Sequence, residues 1–270
     1  MSPSKKKSKR NQSKSRRRRA IYVLPNLFTT ASLFSGFYAI LAAMAGDFPQ
    51  AAMAILASLL FDGLDGKVAR ATNTVSRFGV EYDSLADLVA FGVAPAVLIL
   101  DWALKPMGRL GWLAAFLFVA CGALRLARFN VQVERVGTKH FVGLPIPAAA
   151  SFIATTVLLF DVLGLSGAGE RWYWPTLIMV FALSFLMVSN IHYFSFKELN
   201  LGRIKSFNWL VAALLFFILI AVQPQVVSFL VVASYVAMGP FAAKIMHRRR
   251  LAQEQSKQAE QALSSSDSQA

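Results

Sequence analysis

The chain has 270 residues, 56% of them hydrophobic and 16% charged, with a formal net charge of +14. Repeated apolar runs of about twenty residues match helices crossing a hydrocarbon core of about 30 Å, which excludes a soluble globular domain. No alternating strand pattern points to a membrane barrel, and the single cysteine, Cys121, excludes an internal disulfide framework or a cysteine metal site.

Residues 1–20 come first. Lys5 to Arg19 holds ten basic residues and no acidic one, in a serine-rich setting that predicts a disordered cytoplasmic tail. The apolar run that follows is too long for a cleavable signal and lacks a small-residue cleavage site. A basic run of this kind can serve as a nucleic-acid arm. Joined to a span, it reads instead as a topology signal resting on anionic lipid, with no nucleic-acid partner.

Eight apolar segments follow, at about 22–45, 50–71, 77–102, 109–130, 144–165, 173–194, 207–222 and 226–246. Residues 21–246 therefore read as one membrane domain, an all-α integral membrane bundle of eight transmembrane helices. Residues 247–270 are polar and rich in Gln and Ser, and are expected to form a disordered cytoplasmic tail. No internal repeat is visible, which argues against an inverted-repeat transporter. With the N-terminal tail inside, 25 basic residues fall on that side and three, Lys105, Arg109 and Arg171, on the other. Both termini are thus expected in the cytoplasm of a multi-pass protein of the inner cell membrane.

Chemistry concentrates between Asp62 and Asp87. Asp62, Asp65, Gly66 and Ala69 are spaced i, i+3, i+4, i+7, and Gly79, Asp83 and Asp87 are spaced i, i+4, i+8. Each set lies on one helix face. The two helices are consecutive, so antiparallel packing brings the carboxylate faces together, and Gly66, Ala69 and Gly79 lack the bulk to keep a ligand away. Carboxylates within a span cost roughly 2.5–3.5 kcal/mol each on insertion scales, so four of them call for compensation. Hard oxygen donors select Mg²⁺ or Mn²⁺, with Ca²⁺ a further candidate. Four carboxylates on facing helices suit two ions acting as a clamp on a displacement at phosphorus. Arg70, one residue past Ala69, is placed to hold a phosphate with its planar fork. Spacing alone leaves three readings open: metal-dependent catalysis, a divalent cation transporter with the aspartates as ion path, and structural pairing with Lys67, Arg70 or Arg77.

The string Asp62-x2-Asp65-Gly66-x2-Ala69-Arg70-x8-Gly79-x3-Asp83-x3-Asp87 resembles, at every fixed position, the signature of the CDP-alcohol phosphatidyltransferase family. The resemblance implies a motif spanning the second and third transmembrane helices, and transfer of a phosphatidyl group from a CDP-linked lipid to an alcohol with release of CMP. It implies that Asp62, Asp65, Asp83 and Asp87 bind two divalent metals and that Asp87 is also the general base. Gly66, Arg70, Ser76 and Gly79 would line the CDP-diacylglycerol site, with Asp62, Ala69, Asn26 and Thr29 as further contacts; Pro25-Asn26 also reads as a helix start.

Further segments resemble the phosphatidylserine synthase subgroup: Leu24-Pro-Asn26-Leu-Phe-Thr29, Val80-Glu-Tyr-Asp83-Ser-Leu-Ala-Asp87, Gly122-Ala-Leu-Arg125-Leu-Ala-Arg128-Phe-Asn130, and Phe141-Val-Gly143-Leu-Pro-Ile-Pro-Ala148. Ser32 stands where the family often has asparagine. The likeness covers roughly residues 21–150 and implies L-serine as acceptor, a homodimer, and phosphatidylserine and CMP as products. Arg125 and Arg128, spaced i, i+3, would hold the serine carboxylate as a charge-assisted pair, with Asn130 beside them. Their structural alternative is that of basic anchors snorkelling to headgroups. A relative with glycerol 3-phosphate or an inositol phosphate as acceptor is the competing assignment. Trp172, Tyr173 and Trp174 read as an interfacial aromatic belt, and Gly143 with Pro145-Ile-Pro147 as the entry to the fifth helix.

Overall fold

A computed structural model of the protein describes residues 25–72, 76–136, 141–165, 169–193, 219 and 222–241. They contain seven helices. α1 (Pro25–Met44) and α2 (Phe48–Thr72) are joined by a turn in which Gly46 takes φ +82°, a left-handed shape that glycine adopts without strain. Then come α3 (Arg77–Met107), α4 (Arg109–Val136), α5 (Ile146–Val162), α6 (Glu170–Val188) and α7 (Pro224–Phe241). Five of these, α1, α3, α4, α6 and α7, are long and apolar enough to cross a membrane. α2 has the length, but Asp62 and Asp65 interrupt its apolar run; α5 is apolar and shorter. The expected span 207–222 lies outside the described residues apart from 219 and 222, as do both tails.

α3 is not α-helical throughout. Residues Leu88–Val93 and Leu100–Leu104 are π-helical turns flanking an α-helical segment, Ala94–Ile99, and Lys105–Met107 closes as a 3₁₀ turn. Pro95 sits in the first turn of that middle segment. A proline has no N–H and its ring crowds the preceding turn, and a widened turn accommodates both. The first π turn starts at the residue after Asp87.

Lipid is as apolar as leucine, so helix association in a membrane rests on close packing rather than on escape from water. The buried residues follow this rule. Ala39, Ala42 and Ala43 of α1, Ala51, Ala52 and Ala54 of α2, Ala90, Ala94 and Ala96 of α3, and Ala149, Ala150 and Ala154 of α5 are all buried, whereas Phe34, Phe37, Leu60, Phe116 and Ile178 point outward. α4 lies along α6 and α2 along α5, with α3 packed against α2, α4, α5 and α6. α1 and α3 approach backbone to backbone: a Cβ on Gly36 would sit 2.6 Å from Ala90 Cα.

The two ends of the bundle differ. At one end Phe160 packs edge-on against Trp102 and Trp172, with centroids 5.2 and 4.8 Å apart, tying α3, α5 and α6 together where the aromatic belt is expected. At the other end the chain leaves its helices for a short antiparallel pair, β1 (Phe141–Val142) with β2 (His192–Tyr193). Gly143 takes φ +82° there, its N–H donates to Ile191 O at 2.8 Å, and any Cβ would strike the Met187 carbonyl. The Leu144 N–H donates to Leu186 O at 3.0 Å. This loop locks the start of α5 onto the end of α6.

Candidate active site

α2 and α3 form a hairpin about residues 73–75, which lie outside the described set. Asp62 and Asp65 lie in the C-terminal half of α2, and Asp83 and Asp87 in the first third of α3. Asp62, Asp83 and Asp87 each offer a carboxylate oxygen within 4.8 Å of the others. The Asp62 carboxyl also contacts that of Asp87, and the Asp65 carboxyl that of Asp83. Asp65 is buried, and its Oδ2 accepts a hydrogen bond from Thr29 Oγ1 of α1 at 2.8 Å. Four carboxyl groups facing one another repel when ionised. A cluster of hard oxygens at this separation fits a divalent cation on the chemistry of its donors.

Beside the cluster opens a cavity of about 170 Å³, lined by the N-terminal turns of α1 and both arms of the hairpin. Asn26, Thr29, Asp65, Gly66, Ala69, Arg70, Ser76, Gly79 and Asp83 all border it. Of the residues expected around CDP-diacylglycerol, Asp62 alone is not on its wall; it faces the other carboxylates. Local chemistry explains the cavity's shape. Ser76 caps α3, its Oγ accepting from the Gly79 N–H at 3.0 Å. A Cβ on Gly79 would sit 3.1 Å from that Oγ and 3.4 Å from Asn26 Oδ1. The Arg70 guanidinium folds back over Gly66, with both terminal nitrogens 3.8 Å from where a Cβ would be. α1 is also pinned to α3 by Thr30 and Tyr82, whose hydroxyls are 3.0 Å apart; Thr30 gives its proton to Asn26 O at 2.7 Å, so Tyr82 donates.

Ser32 sits deeper. It is buried, and its Oγ lies 2.7 Å from Ser58 Oγ on α2. The position that departs from the family's usual asparagine thus serves helix packing here.

The three residues expected at the acceptor separate. Arg125 is 7% exposed, within electrostatic reach of Asp87 and of Tyr235 on α7. Arg128 is half-buried and turns to the end of α6, donating to Asn190 Oδ1 at 2.7 Å and Val188 O at 3.4 Å. It holds the last carbonyl turn of α6 as basic side chains at helix C-termini do. Asn130 donates to Ser84 Oγ at 3.0 Å, bridging α4 to α3 one residue from Asp83. Sequence reasoning did not single out Tyr82 or Tyr235. Tyr82 was within reach of it, adjacent to Asp83; Tyr235 lies in a featureless apolar helix and carries no signal.

A model of the CDP-alcohol phosphatidyltransferase family matches residues 22–188. The CDP-diacylglycerol–serine O-phosphatidyltransferase of Helicobacter pylori is 42% identical over 205 residues, 76% of this chain and 84% of that protein. The protein of the same name from Mycobacterium leprae is 34% identical over 247 residues, 88% of this chain and 80% of its own. The archaetidylserine synthase of Methanothermobacter thermautotrophicus is 40% identical over 172 residues, 63% of this chain and 69% of its own. On the matched span and these identities, the chain belongs to the CDP-alcohol phosphatidyltransferase family.

Proposed function

We propose that this protein transfers the phosphatidyl group of CDP-diacylglycerol to the hydroxyl of L-serine, giving phosphatidylserine and CMP. The observation that carries the reading is the facing set of Asp62, Asp65, Asp83 and Asp87 at the edge of a cavity bordered by the family motif. The choice of serine rests on the relatives, whose names specify serine transfer or archaetidylserine synthesis.

Asp62, Asp65, Asp83 and Asp87 would hold two divalent cations, Mg²⁺ or Mn²⁺. Such ions supply charge neutralisation at the phosphates and at the departing CMP. Within the chain, Asn26, Thr29, Gly66, Ala69, Ser76 and Gly79 shape the cavity for the nucleotide, and Arg70 meets a phosphate with its planar fork. Arg125 receives the serine carboxylate. Asp87 takes the serine hydroxyl proton as the oxygen attacks phosphorus, which a neutral alcohol requires. The new bond is serine O–P; the bond broken joins that phosphorus to the oxygen that leaves on CMP. Asn130 and Arg128 hold α4 to α3 and α6 around this centre.

The fuller architecture proposed with this function has eight spans, both termini in the cytoplasm, a basic tail on anionic lipid and a homodimer. Purified protein offered CDP-diacylglycerol with each alcohol in turn tests the function. CMP release is expected with L-serine. Turnover with glycerol 3-phosphate or an inositol phosphate and none with serine would overturn the acceptor. Cation flux in liposomes without CMP release would replace the enzyme with a transporter.

A further inference from the structure

α1 begins against both arms of the acidic hairpin, and two adjacent threonines carry the contact. Thr29 turns to α2, its hydroxyl donating to Asp65 Oδ2 at 2.8 Å. Thr30 turns to α3. The Tyr82 hydroxyl donates to Thr30 Oγ1 at 3.0 Å, and the Thr30 hydroxyl passes its own proton to Asn26 O at 2.7 Å. A threonine hydroxyl has one proton and two lone pairs, so Thr30 can serve both bonds at once. Neither Thr30 nor Tyr82 borders the cavity, but each is the chain neighbour of a residue that does, Thr29 and Asp83.

The half-buried Tyr82 ring is steadied from its own helix. It stacks on Phe78, one turn earlier on α3, with centroids 6.0 Å apart and planes 11° from parallel. The phenol therefore has a ring wall on α3 and a hydrogen-bond acceptor on α1. A neutral hydrogen bond outside the core adds little net stability, because water replaces it when it breaks. Its consequence here is one of position. The two bonds in series end on the backbone carbonyl of Asn26, a cavity residue. The Asn26 side chain lies over the first turn of α3, with Oδ1 3.4 Å from where a Gly79 Cβ would stand. Thr29 with Asp65 thus sets the first turns of α1 against α2, and Thr30 with Tyr82 sets them against α3.

We propose that Tyr82 is a positioning residue for the nucleotide: through Thr30 it holds the first turns of α1, and with them Asn26 and Thr29, at the distance from α3 that fits the CDP moiety of the lipid substrate. This rests on the reading that the cavity takes CDP-diacylglycerol. The test uses the full chain in mixed micelles, with KM measured separately for CDP-diacylglycerol and serine, and with CMP as inhibitor against CDP-diacylglycerol. Tyr82→Phe should raise the CDP-diacylglycerol KM and the CMP Ki together about threefold to tenfold, the effect of losing one oriented hydrogen bond, with kcat and the serine KM within about twofold. Thr30→Val, which removes the acceptor, should do at least as much. Tyr82→Phe added to it should cost less than about twofold more, because the two side chains act through one contact. Thr30→Ser keeps the hydroxyl and should stay within about twofold of wild type. An unchanged CDP-diacylglycerol KM, an equal rise in both KM values, a KM rise without a rise in the CMP Ki, full additivity with Thr30→Val, or a Thr30→Ser protein as impaired as Thr30→Val would each overturn the proposal. A wild-type protein that releases no CMP from CDP-diacylglycerol would remove the parent reading and this one together; normal turnover with an indifferent Tyr82→Phe would remove this one alone.

Discussion

Gly36→Ala probes how the catalytic hairpin is held. The added Cβ would stand 2.6 Å from Ala90 Cα, 2.8 Å from its Cβ and 3.3 Å from its N. Carbon atoms pack at about 3.5–4.0 Å, so α1 and α3 must part by about 1 Å. The atoms in the way belong largely to backbone, which cannot swing aside. Overpacking of this kind costs about 1–3 kcal/mol. For a chain of this size, that corresponds to a fall in Tm of about 2–12 °C, read by a thermal-shift assay in detergent at one fixed scan rate. A functional effect should accompany it. Thr29 lies seven residues from Gly36, about 10 Å along α1, and its 2.8 Å bond to Asp65 depends on the spacing that the glycine permits. The CDP-diacylglycerol KM should therefore rise. Gly63→Ala is the control: nothing lies within 4 Å of its added Cβ, so stability should hold or increase by up to about 1 kcal/mol. A Gly36→Ala protein with wild-type Tm and KM would refute the close α1–α3 packing and the account of how α1 positions its residues.

Asp87→Asn removes the proposed proton acceptor and should lower turnover at least about 100-fold, while CDP-diacylglycerol still binds in an equilibrium assay; loss of lipid binding would leave Asp87 a metal role only. Thr29→Val deletes the one described hydroxyl donor to the buried Asp65 carboxylate. It should raise the CDP-diacylglycerol KM about fivefold or more, with no matching change for serine. Gly79→Ala puts a methyl group into the cavity wall against Ser76 and Asn26, and should weaken CDP-diacylglycerol binding with little loss of Tm; a fall in Tm without a KM effect would mean that the glycine serves the cap alone.

The acidic hairpin was legible in the sequence because helical spacing fixes which residues share a face. Asp62 with Asp65, and Asp83 with Asp87, needed no tertiary information beyond one antiparallel turn. Helix locations followed from hydropathy for the same reason: the signal repeats over twenty residues. Features set by a single contact were not legible. The π turns of α3 depend on how Pro95 is accommodated between packed helices. The two-residue strands at 141–142 and 192–193 have no period to detect. Arg125 and Arg128 sit three residues apart on α4, yet one is buried toward Asp87 and the other reaches across to Asn190, a choice made by α6. Ser32 finds its partner, Ser58, on a different helix. Tyr235 packs against Tyr193, more than forty residues away in the chain.

The central claim is that four aspartates hold divalent cations for phosphatidyl transfer. Anomalous diffraction at the manganese edge, from crystals grown with Mn²⁺ and CDP-diacylglycerol, addresses it most directly. The account predicts two peaks among the carboxylates of Asp62, Asp65, Asp83 and Asp87, lost in crystals of Asp62→Asn. A protein that turns over serine under the same conditions with no manganese at those carboxylates would contradict it.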